Sequence, residues 1–279
     1  MIYIAQEYKG FFEGFSKMDD FLDFDVQLVR DFKNRKTGRF EIDGNGFYIK
    51  KHFECGLSAI VDELVHFRRP HIGACHEKGA IDKLEELNIS TMKVVAYGQD
   101  GEKLSRQRSF LITEELTRTK SLEEICLQWP SNPPDPGFKI DLINRIASVA
   151  KKMHENGINH RDFYICHFLL DTADKIYLID LHRAQQRPNV PMRWRVKDIG
   201  GLFFSAIDIG LTKSDLFRFV KQYTGKPLKE TLTNDRLFWK KVKRRAERMY
   251  RKEFGRSPDL NIKGSDVMKN VTANSLRGK

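Results

Sequence analysis

The stretch Ile158-Asn159-His160-Arg161-Asp162-Phe163-Tyr164-Ile165-Cys166-His167-Phe168-Leu169-Leu170, with Asp180 eighteen residues after Asp162, decides the reading of this chain. Phosphoryl transfer asks a protein for positioning and charge neutralisation, not for a covalent intermediate. One carboxylate must orient the attacking hydroxyl. A second group and another carboxylate must hold the divalent metal that bridges the phosphates. A His-Arg-Asp triplet, a ligand five residues on and a second aspartate after a strand meet that demand. Asp162, His167 and Asp180 fill those places. Phe168-Leu169-Leu170 and Ile176-Tyr177-Leu178-Ile179 read as paired strands that bring the two arms together.

A tripeptide alone is a weak signal, and its surroundings strengthen it. Upstream, residues 138–154 carry Ile143, Ile146, Ala147, Ala150 and Met153 at helical spacing, with Gly157 as the stop. The first 115 residues read as strands at 25–30, 39–42, 46–50, 93–97 and 109–113, with Asp43-Gly44-Asn45-Gly46 as a hairpin turn. One main helix at 76–87 falls between the third and fourth strands. This pattern predicts an α+β, bilobal protein-kinase-like fold. A small antiparallel β lobe occupies 1–115, a larger mostly helical catalytic lobe 116–256, and a flexible tail 257–279.

In such a lobe a lysine on the third strand contacts the nucleotide phosphates and pairs with a glutamate of the next helix. Lys50 and Lys51 compete for this place. They lie on opposite faces of an extended segment, so only one is expected to point inward, and Lys50 is chosen. Glu77 shares a helix face with Ile81 and Leu84 and is its expected partner. No Gly-x-Gly-x-x-Gly precedes Lys50. A basic loop, Lys33-Asn34-Arg35-Lys36-Thr37-Gly38, stands there instead, and Arg35, Lys36 and Thr37 are assigned to phosphate binding. Thr113-Glu114-Glu115-Leu116 reads as a hinge whose backbone at Glu114 and Leu116 faces adenine. A capping box, Ser121-Leu122-Glu123-Glu124, opens a short helix after it.

Beyond Asp180 there is neither Asp-Phe-Gly nor Ala-Pro-Glu. Only seventeen residues separate Asp180 from Asp198, too few for a long peptide-docking segment. Arg183, Arg187, Arg193, Arg195 and Lys197 make this connection cationic, so an anionic small molecule or glycolipid is the expected acceptor.

The formal net charge of +11 is concentrated: residues 236–256 hold ten Lys/Arg against two Glu. As a helix this segment places Phe238, Val242, Ala246 and Met249 on one face. Its basic groups suit a membrane surface or, on charge alone, an acidic carrier protein, while no nucleic-acid module supports nucleic acid as a partner. Cys55, Cys75, Cys126 and Cys166 form no Cys-x-x-Cys and read as reduced thiols. No run approaches eighteen apolar residues, so the expected location is cytoplasmic, peripheral on a membrane if the basic helix docks there.

The segments 160–170, 179–185 and 193–198, with Glu114-Glu115-Leu116, Asn132-Pro133-Pro134 and residues 208–212, resemble the lipopolysaccharide core heptose(I) kinase (WaaP/RfaP) family. The resemblance covers most of the chain and fades in the first twenty or so residues and the tail. It implies ATP and Mg2+ as cofactors and the first heptose of the lipopolysaccharide inner core as acceptor. By the same resemblance Asp162 would take the hydroxyl proton and Asp180 bind magnesium. Lys50 and Glu77 would set the phosphates, and Asp198, with His160 and Arg161, would steady the loop. The general kinase motif has asparagine where this chain has His167, which leaves His167 as either ligand or brace. Two other readings compete: a protein Tyr/Ser kinase, and a non-catalytic kinase-like module that binds membrane or an acidic protein.

Overall fold

The Asp43-Gly44 turn nucleates the first unit. Both residues adopt positive φ (51° and 77°), as a tight two-residue hairpin loop requires. The computed structural model describes residues 1–32, 34–54, 74–102 and 106–260. Its contacts divide the chain into two compact units, one of 1–119 with 177–184 and one of 120–176 with 185–279.

The first unit is a six-stranded antiparallel sheet of β1 (Ile2–Ile4), β2 (Gln27–Phe32), β3 (Arg35–Ile42), β4 (Asn45–His52), β5 (Val94–Asp100) and β6 (Arg108–Glu114), in the order β1-β5-β6-β4-β3-β2. One sheet face is covered by an aromatic cluster. Phe12 and Phe21 pack with Phe40, Phe47 and Phe110, and Phe21 stacks on Phe110 at 4.1 Å. A 3-10 helix, Gln6–Phe12, and α1 (Met18–Leu22) supply that cover. The N-terminal residues, unassigned from sequence, thus complete the core and add the edge strand β1. The helix α2 (Cys75–Glu86) buries Glu77, Ala80, Ile81 and Leu84. Residues 177–184 tie into this unit through Leu178, whose N–H donates to Ser90 O and whose carbonyl accepts from Thr91 Oγ1.

β3 corrects the placement of the basic loop. Arg35, Lys36 and Thr37 are strand residues paired with His52, Lys51 and Lys50. A Cβ on Gly38 would fall 2.2 Å from Val26 Cγ2, so this glycine allows a close strand approach.

The second unit contains α3 (Leu122–Cys126), α4 (Pro136–Glu155), α5 (Met192–Ser205), α6 (Lys213–Thr224), α7 (Leu228–Asn234) and α8 (Arg236–Phe254). Ser121 and Glu124 form the expected capping box. α8 packs on α5 and buries Phe238, Val242, Ala246 and Tyr250. Tyr250 thus takes the buried place assigned to Met249, because a strict i+4 step keeps the stripe on the packed side. No described helix is long and apolar enough to cross a membrane. Cys75, Cys126 and Cys166 are free thiols; Cys55 and residues 261–279, most of the expected tail, lie outside the described residues.

Candidate active site

In the second unit, α4 delivers the loop. Asp135 caps its start by accepting the Phe138 N–H at 2.9 Å, and Gly157 ends it at φ 78°. A Cβ there would lie 1.9 Å from Arg187 O, so only glycine passes. Ile158-Asn159 then pairs antiparallel with Gln185-Gln186, which sets the register of the segment 160–167. Phe163 and Phe168, both fully buried and edge-to-face at 5.1 Å, pin it from below.

Asp198, 0% exposed on α5, accepts the His160 N–H at 2.7 Å and the Arg161 N–H at 2.8 Å. Its Oδ2 also meets His154 Nε2 at 3.2 Å, while His154 Nδ1 lies 2.8 Å from Tyr223 Oη. Burial raises the Tyr223 phenol well above its ordinary range, so it remains protonated and donates to Nδ1. Nε2 therefore carries the proton given to Asp198. This Tyr223–His154–Asp198 chain closes the two backbone bonds immediately before Asp162. His167 Nδ1 donates to the Asp162 carbonyl at 2.7 Å.

In the first unit, Lys50 Nζ and Glu77 Oε1 form an ion pair at 2.5 Å, with Glu77 almost completely buried. Lys51 is buried as well, on the opposite sheet face, where its ammonium donates to the Leu22 carbonyl at 2.9 Å and to the Phe24 carbonyl. The expectation of one inward lysine is thereby corrected: this sheet is covered on both faces, so both lysines find polar partners inside. Asp180 sits in the left-handed region (φ 62°, ψ 52°) and accepts from His182 Nδ1 at 2.5 Å. In the hinge, Glu114 N–H donates to Lys93 O and Glu115 N–H to Gly46 O, while no described residue accepts the Leu116 N–H. The Glu115 carboxylate is clamped by Arg39 and Tyr48, and the Arg39 guanidinium holds it below the usual carboxylate range.

Among the cationic residues, Arg183 lies on the short turn Leu181–Arg183 of the first unit. Arg187 and Arg193 gather at the Trp194 ring, at 5.4 and 5.2 Å from its centroid. Arg195 turns instead over the Phe238 ring at 5.5 Å.

Asp180 offers a hard carboxylate oxygen of the kind magnesium takes. Magnesium takes its remaining ligands from phosphate and water.

A β-rich unit carrying a lysine–glutamate pair and a helical unit carrying a braced His-Arg-Asp loop define a phosphotransferase of the protein-kinase-like class. The chain belongs to the Lipopolysaccharide kinase (Kdo/WaaP) family, whose match spans residues 19–223. It is 44% identical over 230 residues to the lipopolysaccharide core heptose(I) kinase WaaP of Escherichia coli (strain K12), covering 80% of this chain and 87% of that protein. The WaaP of Pseudomonas aeruginosa strain PAO1 is 42% identical over 234 residues, 81% of this chain and 87% of that protein. A solved structure of WaaP in complex with acyl carrier protein superposes with a TM-score of 0.77 at 37% identity, covering 90% of this chain and 99% of that one. The protein is thus a kinase that uses ATP, with an alcohol group as acceptor.

Proposed function

We propose that this kinase transfers the γ-phosphoryl group of ATP to a hydroxyl of the first heptose of the lipopolysaccharide inner core. The braced loop carries the reading: Asp198 holds the amides of His160 and Arg161, and Asp162 follows directly. Asp162 would orient the heptose hydroxyl and accept its proton as the oxygen bonds to phosphorus and the ADP oxygen leaves. Lys50, held by Glu77, would neutralise the phosphates, and the Leu116 N–H would receive adenine. Asp180 would hold magnesium, which would supply charge neutralisation for the phosphates. The test is transfer of labelled phosphate from ATP to core lipopolysaccharide lacking heptose phosphate. Wild-type protein should label it and Asp162→Asn should not; phosphate appearing in peptide and not in glycolipid would refute the reading.

We further propose that the exposed basic face of α8 meets an anionic surface, either the inner leaflet or an acidic carrier protein. Lys240, Lys241 and Arg244 supply it. Arg245 does not belong to that face, because its Nε donates to the Lys197 carbonyl at 3.3 Å and its stem packs over Gly200. A chain named WaaP was solved with acyl carrier protein, which favours the carrier as partner. Reversing the charge of Lys240, Lys241 and Arg244 should abolish salt-sensitive co-purification with an acidic carrier. Unchanged co-purification counts against this surface.

A further inference from the structure

The two faces of the first unit's sheet treat their aromatic side chains differently. On one face Phe40, Phe47 and Phe110 pack into the aromatic cluster together with Ile49. On the other stands Tyr48, half-buried, and among the described residues no other ring packs on it. Strand register places this ring. Alternate residues of a strand share a face, so Tyr48 and Lys50 lie about 7 Å apart on one side. Their neighbours across the two ladders share it: Arg39 and Thr37 on β3, Thr113 and Leu111 on β6. Glu115 of the hinge follows two residues after Thr113. Tyr48 thus stands between the lysine assigned to the phosphates and the hinge assigned to the base.

A clamp fixes the orientation of the ring. Tyr48 Oη donates to Glu115 Oε1 at 3.2 Å, and Arg39 donates to the same carboxylate through Nε at 3.0 Å and Nη2 at 2.7 Å. Burial first, and then the Glu115 charge, raise the Tyr48 phenol above its ordinary range, so it stays a donor. The Glu115 N–H donates to Gly46 O, and a Cβ on Gly46 would fall 2.0 Å from Glu115 Oε2, so the hairpin leaves room for the carboxylate only because glycine stands there. Leu116 comes next. Its carbonyl accepts from Thr119 Oγ1 at 3.0 Å, while no described residue accepts its N–H.

We infer that Tyr48 is a base-recognition residue of the ATP site: its ring is the floor on which adenine stacks, and the Arg39–Glu115–Tyr48 clamp holds that floor in register with the Leu116 N–H. A bound base needs a flat aromatic surface at its face and a hydrogen-bond partner at its edge, and Tyr48 supplies the first and Leu116 the second. A phenol tethered at its oxygen has little freedom left to lose when a base lands on it. The same rigidity gives specificity. Adenine N1 accepts a hydrogen bond, whereas guanine carries an N1–H that meets the Leu116 donor, and a fixed ring beside a fixed hinge keeps the base from sliding to another register. This inference rests on the nucleotide reading above, with Lys50 at the phosphates and Leu116 at the base.

The experiment is calorimetric titration of the full chain with adenosine, inorganic tripolyphosphate, and the non-hydrolysable imido analogues of ATP and GTP. Tyr48→Ala should weaken adenosine and the ATP analogue about tenfold or more while tripolyphosphate stays within twofold, which also shows that the variant is folded. Tyr48→Phe keeps the ring and loses its tether. It should bind adenosine within about fivefold of wild type and narrow the preference for the ATP over the GTP analogue. Lys50→Met with Glu77→Leu should do the reverse of Tyr48→Ala, weakening tripolyphosphate and leaving adenosine within twofold. Failure of the wild type to bind adenosine, Tyr48→Ala within twofold of it, equal losses for adenosine and tripolyphosphate, or Tyr48→Phe falling as far as Tyr48→Ala would overturn the role of the ring. A loss in Tyr48→Ala with unchanged tripolyphosphate binding in the Lys50 variant refutes the phosphate assignment of Lys50 and leaves Tyr48 standing.

Discussion

Asp198→Asn changes one atom at the point where the loop is held, and its cost follows from the bonds counted there. Asp198 offers two acceptor oxygens to three donors: His160 N–H and His154 Nε2–H at Oδ2, and Arg161 N–H at Oδ1. Asparagine retains one oxygen. In its best orientation that oxygen keeps the first two donors and turns an amide NH2 toward the Arg161 N–H. The orphaned N–H costs about 1–3 kcal/mol, and lost charge assistance on the two surviving bonds costs about 1 kcal/mol each. The sum of about 3–5 kcal/mol corresponds to a fall in Tm of about 6–20 °C for a unit of this size. The released peptide is the one that leads into Asp162, so kcat should drop about a hundredfold, the effect expected of a misplacement of about 1 Å. The KM for ATP should stay within about threefold, since the Lys50–Glu77 pair belongs to the other unit. Calorimetry and steady-state phosphate transfer measure the two effects. A Tm within about 2 °C of wild type, or kcat within twofold, would refute the reasoning.

Three further outcomes are expected. Lys50→Met strands the buried Glu77 carboxylate and should cost about 3–5 kcal/mol in urea unfolding, whereas adding Glu77→Leu should recover most of that stability without recovering activity; recovery of both would remove Lys50 from the chemistry. Burial holds Lys51 below the ordinary lysine value, so the unfolded chain binds more protons as pH nears about 10.4 from below, and stability should rise with pH there. The wild-type minus Lys51→Met difference in unfolding free energy should carry that rise, and a flat difference would count against a charged, buried Lys51. Gly157→Ala meets both a positive φ and the Arg187 carbonyl and should cost about 2–4 kcal/mol by thermal melting; a loss under about 1 kcal/mol would mean that the backbone there relaxes freely.

Much of this molecule is legible along the chain, where short-range chemistry decides. The turn at Asp43-Gly44, the strands around it, the apolar stripe of α4 and the capping box at Ser121 each arise from neighbours a few residues apart. Lys50 and Glu77 are readable for the same reason, since strand and helix periodicity each select one face. The misreadings have a shared cause. Arg35-Lys36-Thr37 looks like a loop because polar residues dominate it, yet partners in β4 hold it as strand. Lys51 looks like a solvent residue because burial on the second face depends on Leu22 and Phe24, nearly thirty residues away.

By itself, the sequence determined the chemistry and its local frame: a His-Arg-Asp loop after a helix, a lysine on a strand, an aspartate further on, and a cationic stretch between Asp180 and Asp198. Residue type and spacing suffice for these, because dihedral preference and periodicity act within a few residues. Only the tertiary structure decided how the loop is held. Tyr223, His154 and Asp198 meet from three different helices. Such meetings arise from packing across long sequence separations, and hydrogen bonds and charges inside a folded unit are set by that packing, not by the order of residues.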